Sequence, residues 1–387
     1  MSGVPSPRFG RGWPLACVGL LSTIWLPALG RGFSTDDFEK VPLTWRQLVA
    51  NPFINYGRPL ETLTLAILPN EASVQHAANL LLYLACLWTM WRLCRRMELD
   101  EWSTFLALSS FFHPSFLWSV TWINQRNDLL LVLCLLLALS TTRTPIRLLW
   151  AIAACASKTP FVLQNLVFSL QFARKRSLTA SAVSLVAMGV FAYGGYITNY
   201  AFTVRDGTPP VVTAVGTALA VPIGLAKVLE GIVIIFAPVS MFAWSPWAPI
   251  AALFAYAACW FVIIRSLPGP GARVEGWIIG LALAMCGPFA FNSEVRVTGG
   301  AAVLAFLAVA AAARFHRPAR MAGVGILAFN LLGTALNYGL FRSSQYDIRA
   351  TPDPLDTSYP VYTYQAWRDE LRVDVLSRFG VTPPPRR

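Results

Sequence analysis

Two adjacent carboxylates, Asp36 and Asp37, follow the first apolar run of this chain in the stretch Ser34-Thr35-Asp36-Asp37-Phe38. One of them could take a proton from a hydroxyl nucleophile while the other positions that group or helps hold a divalent cation. The same pair also fits a solvated loop in which Asp36 caps a helix starting near Phe38. A second polar group lies far along the chain, from His113-Pro114 to Arg126-Asn127-Asp128. His113 ends an apolar run, Pro114 breaks the helix, and Arg126 and Asp128 stand at the mouth of the next span; these residues alone do not identify a reaction, and they also fit a polar helix boundary with Asp128 near a helix N-terminus. Two further candidates flank these. Arg58, three residues before Glu61, suits either phosphate binding or an ion pair with that glutamate. Lys158 sits between two short apolar runs, where a charge either neutralises a phosphate or snorkels to the interface.

The elements that must position these groups are apolar. The chain of 387 residues is 56% hydrophobic and 13% charged, with a mean hydropathy of +0.54. A soluble chain carries roughly twice that charged fraction. Apolar runs long enough for about 30 Å of hydrocarbon recur along it. The first follows Arg8 and Arg11, lacks a convincing small-x-small cleavage site before Arg31, and reads as a retained first helix. The expected spans are 13–30, 74–92, 102–119, 127–141, 146–157, 161–173, 178–200, 208–226, 228–244, 248–266, 275–291, 296–313 and 320–341. The polar break Ser157-Lys158-Thr159-Pro160 separates two runs too short to cross singly, which predicts paired short helices meeting at the outer surface. Residues 208–244 hold either two short spans around Lys227 or one span and a surface helix.

The net charge of +12 does not point to nucleic acid, because the cations are sorted by loop. Arg92, Arg95 and Arg96, then Arg143 and Arg147, then Arg174, Lys175 and Arg176 fall on one side. Arg265, Arg273, Arg314, Arg317 and Arg320 continue that series. This asymmetry puts the N-terminus in the cytoplasm and Asp36, Asp37, Arg126 and Asp128 together on the outer face. The outer loop 31–73 includes an amphipathic stretch, 41–49, suited to lying along the interface. The polar tail 342–387 has helical spacing of Trp367, Leu371, Leu376 and Phe379. The seven cysteines lie in or beside apolar runs and imply neither a disulfide framework nor a zinc site.

In order and spacing, these pieces resemble the GT-C membrane glycosyltransferases. Most similar is the membrane domain of the protein O-mannosyltransferases that carry tetratricopeptide repeats. The matching residues are Asp36-Asp37, Arg58-Pro59-Leu60, Asn79-Leu80-Leu81 with His76 before it, and the window from His113-Pro114 to Arg126-Asn127-Asp128-Leu129-Leu130. Ser157-Lys158-Thr159 stands where the family has Ser-Lys-Glu. The likeness covers roughly residues 30–170. Phe116 and Trp118 replace residues usually polar in the family, and no repeats follow the membrane part.

The resemblance implies an all-α polytopic bundle of about 11–13 transmembrane helices over residues 1–341, with 342–387 as an extracytoplasmic tail. It implies inverting transfer of a sugar from a polyprenyl-phosphate donor to a hydroxyl of a glycan, lipid or protein. Asp36 or Asp37 would be the base. Arg126 and Lys158, with Arg58 in reserve, would stabilise the departing phosphate. Asp128 would orient Arg126, His113 would shape the acceptor side, and Glu61 would complete the binding site. A divalent cation is a candidate cofactor. The short loops point to a bacterial inner membrane with a periplasmic active site. The competing expectations are a transporter or flippase of lipid-linked sugars, and an inactive assembly partner.

Overall fold

A computed structural model describes residues 12–30, 32, 44–51, 58–158 and 164–205, with Phe261, Arg265, Ala310, Met321, Val324 and Ala328 singly. This part is all helical. Helix α1 spans Trp13–Leu21 and continues as a 3₁₀ stretch, Ser22–Gly30. The short α2 is Trp45–Ala50, α3 is Pro59–Ala66 and α4 is Ala72–Arg96. Helix α5, Glu101–Leu108, tightens into a 3₁₀ turn and is followed by α6, Pro114–Thr121. A 3₁₀ turn at Ile123–Gln125 opens α7, Arg126–Ser140. Then come α8, Thr144–Ser157, α9, Gln164–Arg174, and α10, Leu178–Arg205. Among the described residues, three helical segments are long and apolar enough to cross a membrane: Trp13–Gly30, Ala72–Arg96 and Ile123–Ser140. These are the marks of a membrane protein.

The expected span 102–119 does not form one helix. Pro114 bars its predecessor from the helical region, and His113 is accordingly extended at ψ 139°. The hydroxyls of Ser109 and Ser110 donate back to the carbonyls of Leu106 and Ala107 at 2.7 Å, tightening the turn before the break. The first span also changes pitch. Ser22 Oγ donates to Val18 O at 2.6 Å and Thr23 Oγ1 to Leu20 O at 2.7 Å, and Pro27 supplies no amide to an α-helical ladder.

The core lies between the first span, α4, the α5–α6 break and α7. Tyr83 is its centre. Its ring meets Trp25, Phe111 and Phe116 edge-on at 6.3, 5.7 and 6.1 Å, and Phe111 lies 4.9 Å from Phe116. The Tyr83 hydroxyl shares a 3.0 Å hydrogen bond with Ser22 Oγ and reaches Phe111 O at 3.4 Å. Phe116, apolar where the resemblance suggests a polar residue, thus closes an aromatic cluster. It is buried and its place is on the core side of α6.

Helix directions follow from the contacts. Gly32, at the end of the first span, meets His76 near the start of α4. Trp13, at its beginning, donates to Glu101 at the opposite end and stacks on Phe105. Two of the turns at that opposite end close as Schellman motifs. In α4 these are Glu98 N to Arg95 O and Leu99 N to Cys94 O; in α9, Arg176 N to Ala173 O and Ser177 N to Phe172 O. Both place a non-glycine residue in the left-handed region, Glu98 at φ 53° and Arg176 at φ 59°. Arg147 Nε donates to Ala138 O at 2.9 Å and so satisfies a carbonyl at the C-terminal end of α7.

Phe116→Ala opens a cavity beneath Tyr83. It is expected to cost about 3–5 kcal/mol, read as a lowered thermal midpoint in detergent, whereas Phe116→Leu costs much less.

Candidate functional site: a buried polar cluster at one end of the spans

Three consecutive polar residues, Arg126, Asn127 and Asp128, open α7, and each is fully buried. Successive helical residues point about 100° apart, so the triplet fans out towards three neighbours. Arg126 turns towards α4 and α3. Its Nε donates to Asn79 Oδ1 at 2.7 Å, and Nη2 donates to Gln75 O at 2.8 Å and Gln75 Oε1 at 2.7 Å. Nη1 donates to Thr64 O at 3.2 Å. Asn127 turns towards α3, its Nδ2 donating to Glu61 Oε1 at 2.9 Å and to Asn124 O at 2.8 Å. Asp128 turns towards α8, where Oδ1 accepts from Lys158 Nζ in a buried ion pair.

Each neighbour is shaped to receive its partner. Gln75 and Asn79 are four residues apart, on one face of α4. The Gln75 amide also donates to Pro69 O at 3.0 Å and Leu65 O at 3.5 Å, tying the α3–α4 turn to the same guanidinium. Asn79 Nδ2 donates to Ser119 O at 3.2 Å and Trp122 O at 3.1 Å, collecting the two carbonyls where α6 ends. Lys158 follows α8 as its C-cap, and its own amide donates to Ala154 O. A cation at a helix C-terminus and a carboxylate in a first helical turn both complement the helix dipole. The Lys158–Asp128 pair therefore joins two antiparallel helices with favourable polarity at each.

The sequence-predicted residues divide into three groups. Arg126, Asp128, Lys158, Arg58 and Glu61 come together. Glu61 is buried and bridges Asn127 and Arg58, whose Nη1 lies 3.8 Å from Glu61 Oε2. Of the cations expected at a phosphate, Arg58 is the most exposed, with 18% of its side chain accessible, whereas Lys158 and Arg126 are buried. His113 is placed separately, buried at the break before α6, its amide donating to Ser110 O and its carbonyl accepting from Phe116 N. Asp36 and Asp37 lie outside the described residues, as do Thr159 and the tail 342–387. The described residue nearest in sequence to Asp36 and Asp37 is Gly32, whose carbonyl is 3.1 Å from His76 Nε2.

In this structure Asp128 pairs with Lys158, which lies on another side of α7 from Arg126, since residues i and i+2 of a helix do not face each other. The guanidinium of Arg126 is directed to Asn79, Gln75 and Thr64. Gln75 and Asn127 were missed as site residues, and Asn79 was noted only as part of a motif. The available signal was spacing: Gln75, His76 and Asn79 put polar groups on adjoining positions of one turn in an otherwise apolar helix. Among the described residues, no group of three or more His, Cys, Asp or Glu is arranged to hold a metal ion.

No protein-family model, curated protein or solved structure matches the chain. What the cluster can do is therefore argued from its own geometry.

Removing one member of a buried ion pair strands the other charge, at about 3–5 kcal/mol. Lys158→Met or Asp128→Asn alone should each lower the thermal midpoint sharply, and the double substitution should recover most of the loss. A double-mutant cycle showing simple additivity would contradict the pairing. Arg126→Lys should also destabilise, since an ammonium cannot reproduce a planar fork that reaches Asn79, Gln75 and Thr64 together.

Proposed function

We propose that this chain is a GT-C-type glycosyltransferase of the bacterial inner membrane. It moves a sugar from a polyprenyl-phosphate donor to a hydroxyl of a glycan, lipid or protein on the periplasmic side, within a polytopic bundle of about 11–13 spans. One observation carries the reading: the separate sequence stretches that resemble this family converge in space. Gly32 and His76, Arg58 with Glu61 and Asn127, Gln75 and Asn79 with Arg126, and Asp128 with Lys158 meet at one end of the three candidate spans. Buried ionisable residues in such spans are expensive and are kept where they serve a pathway or a site.

In the proposed reaction, Asp36 or Asp37 removes the proton of the acceptor hydroxyl. The oxygen attacks the anomeric carbon, and the lipid phosphate leaves from the opposite face with inversion. Asp36 follows Gly32 by four residues, so chain length alone keeps their Cα atoms within roughly 14 Å. That tether keeps the base near the cluster. Arg58 takes over the phosphate contact first expected of Arg126 and Lys158. Glu61 keeps its hydrogen bond from Asn127 when Arg58 turns to the phosphate. Arg126 and Lys158 hold α3, α4 and α8 in register around it. A divalent cation, if used, would be held from Asp36 and Asp37.

A second reading has an observation in its favour. The donors of Arg126 and Lys158 point inward, which also suits a non-catalytic assembly partner. The two readings separate in a comparison of cell-envelope glycans by mass spectrometry. Wild type, a deletion strain and Asp36→Asn/Asp37→Asn are compared, with membrane insertion verified. The enzyme reading expects one defined sugar to disappear in both mutants; loss in the deletion alone would leave the aspartates without a catalytic role. Arg58→Gln should lower transfer by roughly ten- to hundredfold, the loss of one charge-assisted hydrogen bond, and should also lower the midpoint of unfolding, since Glu61 stays buried without its cation; Arg58→Lys, which keeps the charge, should restore the midpoint more fully than the transfer rate.

A further inference from the structure

One turn of α4 carries three polar side chains, Gln75, His76 and Asn79. Two of them receive Arg126. The third is directed elsewhere. His76 is 1% exposed, and a buried imidazole has to place its polar atoms within the protein. Its Nε2 lies 3.1 Å from the carbonyl oxygen of Gly32, forty-four residues earlier in the chain. A carbonyl oxygen only accepts, so this bond requires the ring proton on Nε2.

That turn of α4 is shared by three parts of the polar end. The Gln75 amide donates to Leu65 O and Pro69 O and so ties down α3, whose N-cap is Arg58. Gln75 Oε1 and Asn79 Oδ1 fix the guanidinium at the start of α7. His76 adds the chain that leaves the first span. Gly32 precedes Asp36 by four residues and Asp37 by five, so its place bounds where either carboxylate can reach. A general base displaced by about 1 Å can cost about a hundredfold in rate.

We propose that His76 is the positioning residue for the Asp36–Asp37 segment, holding it in register with Arg58 by donating from Nε2 to Gly32 O. The placement rests on the hydrogen bond; its catalytic consequence rests on the transfer reaction proposed above. The test uses the full chain in detergent. The protein has three histidines, so nitrogen-15 labelling of histidine gives few ring signals, and His76→Gln identifies the one that disappears. In the wild type that ring is expected to carry its proton on Nε2. By amide hydrogen exchange, His76→Ala should speed exchange across residues 31–40 about tenfold, the loss of one hydrogen bond, with α7 unaffected. His76→Gln should restore the slow rate, because its amide nitrogen is the fourth side-chain atom, as Nε2 is in histidine. His76→Asn, one atom shorter, should not. In transfer assays His76→Ala should lower kcat about a hundredfold with KM little changed, and His76→Gln should recover most of it. A wild-type ring with Nε2 unprotonated would overturn the proposal, and so would equal exchange across residues 31–40 in the glutamine and asparagine variants. These two readouts hold even if His76→Ala fails to fold, and neither uses transfer. Unaltered glycans in Asp36→Asn/Asp37→Asn would overturn the enzyme reading and not the placement.

Discussion

A guanidinium, an amide and a carboxylate on successive positions of one apolar helix cannot all be left to solvent, and each must find a partner inside the protein. The first turn of α7 meets that requirement by distributing them. Arg126 engages α4 and the α3–α4 turn, Asn127 engages α3, and Asp128 engages the end of α8. Because the three directions are set by helical geometry, none of these neighbours can shift without leaving a buried polar group unmet. The positions of α3, α4 and α8 are thus mutually dependent through a single turn. Below it, the ring contacts of Tyr83 fix the first span and the α5–α6 break against α4.

How much of this was legible depended on the kind of signal. Long apolar runs marked the crossing helices well: 74–92 was expected where α4 runs Ala72–Arg96, and 127–141 where Ile123–Ser140 forms a candidate span. Periodicity gave no warning that 102–119 breaks, although Pro114 did, since its constraint on His113 is local and steric. Charged residues of the cluster were conspicuous because charges are scarce. Their amide partners were not, since Gln75, Asn79 and Asn127 carry no charge and their bonds span 47 to 66 residues of sequence. Helical spacing does separate Asp128 from Arg126, because residues two apart on a helix do not share a face, but it does not reveal Lys158 as the partner thirty residues on.

The two ends of the bundle contrast in how they treat charge. At one end, Asp128 and Lys158 neutralise each other in the interior, and Glu61 is held between Arg58 and Asn127. At the other, Arg143 and the Arg174-Lys175-Arg176 run stay at the surface. Interior pairing resists salt and favours a fixed geometry, whereas surface charge responds to the ionic environment. The molecule therefore has a rigid polar end and an electrostatically adaptable one.

The change of pitch in the first span has a dimensional consequence. Eighteen residues of α-helix cover about 27 Å, short of the roughly 30 Å of a hydrocarbon layer. A 3₁₀ helix rises about 2.0 Å per residue, and nine of the eighteen residues of Trp13–Gly30 adopt it. Overwinding thus stretches the segment to about 32 Å. The segment reaches the length of a hydrocarbon layer without added residues, and Gly32 meets His76 near the start of α4.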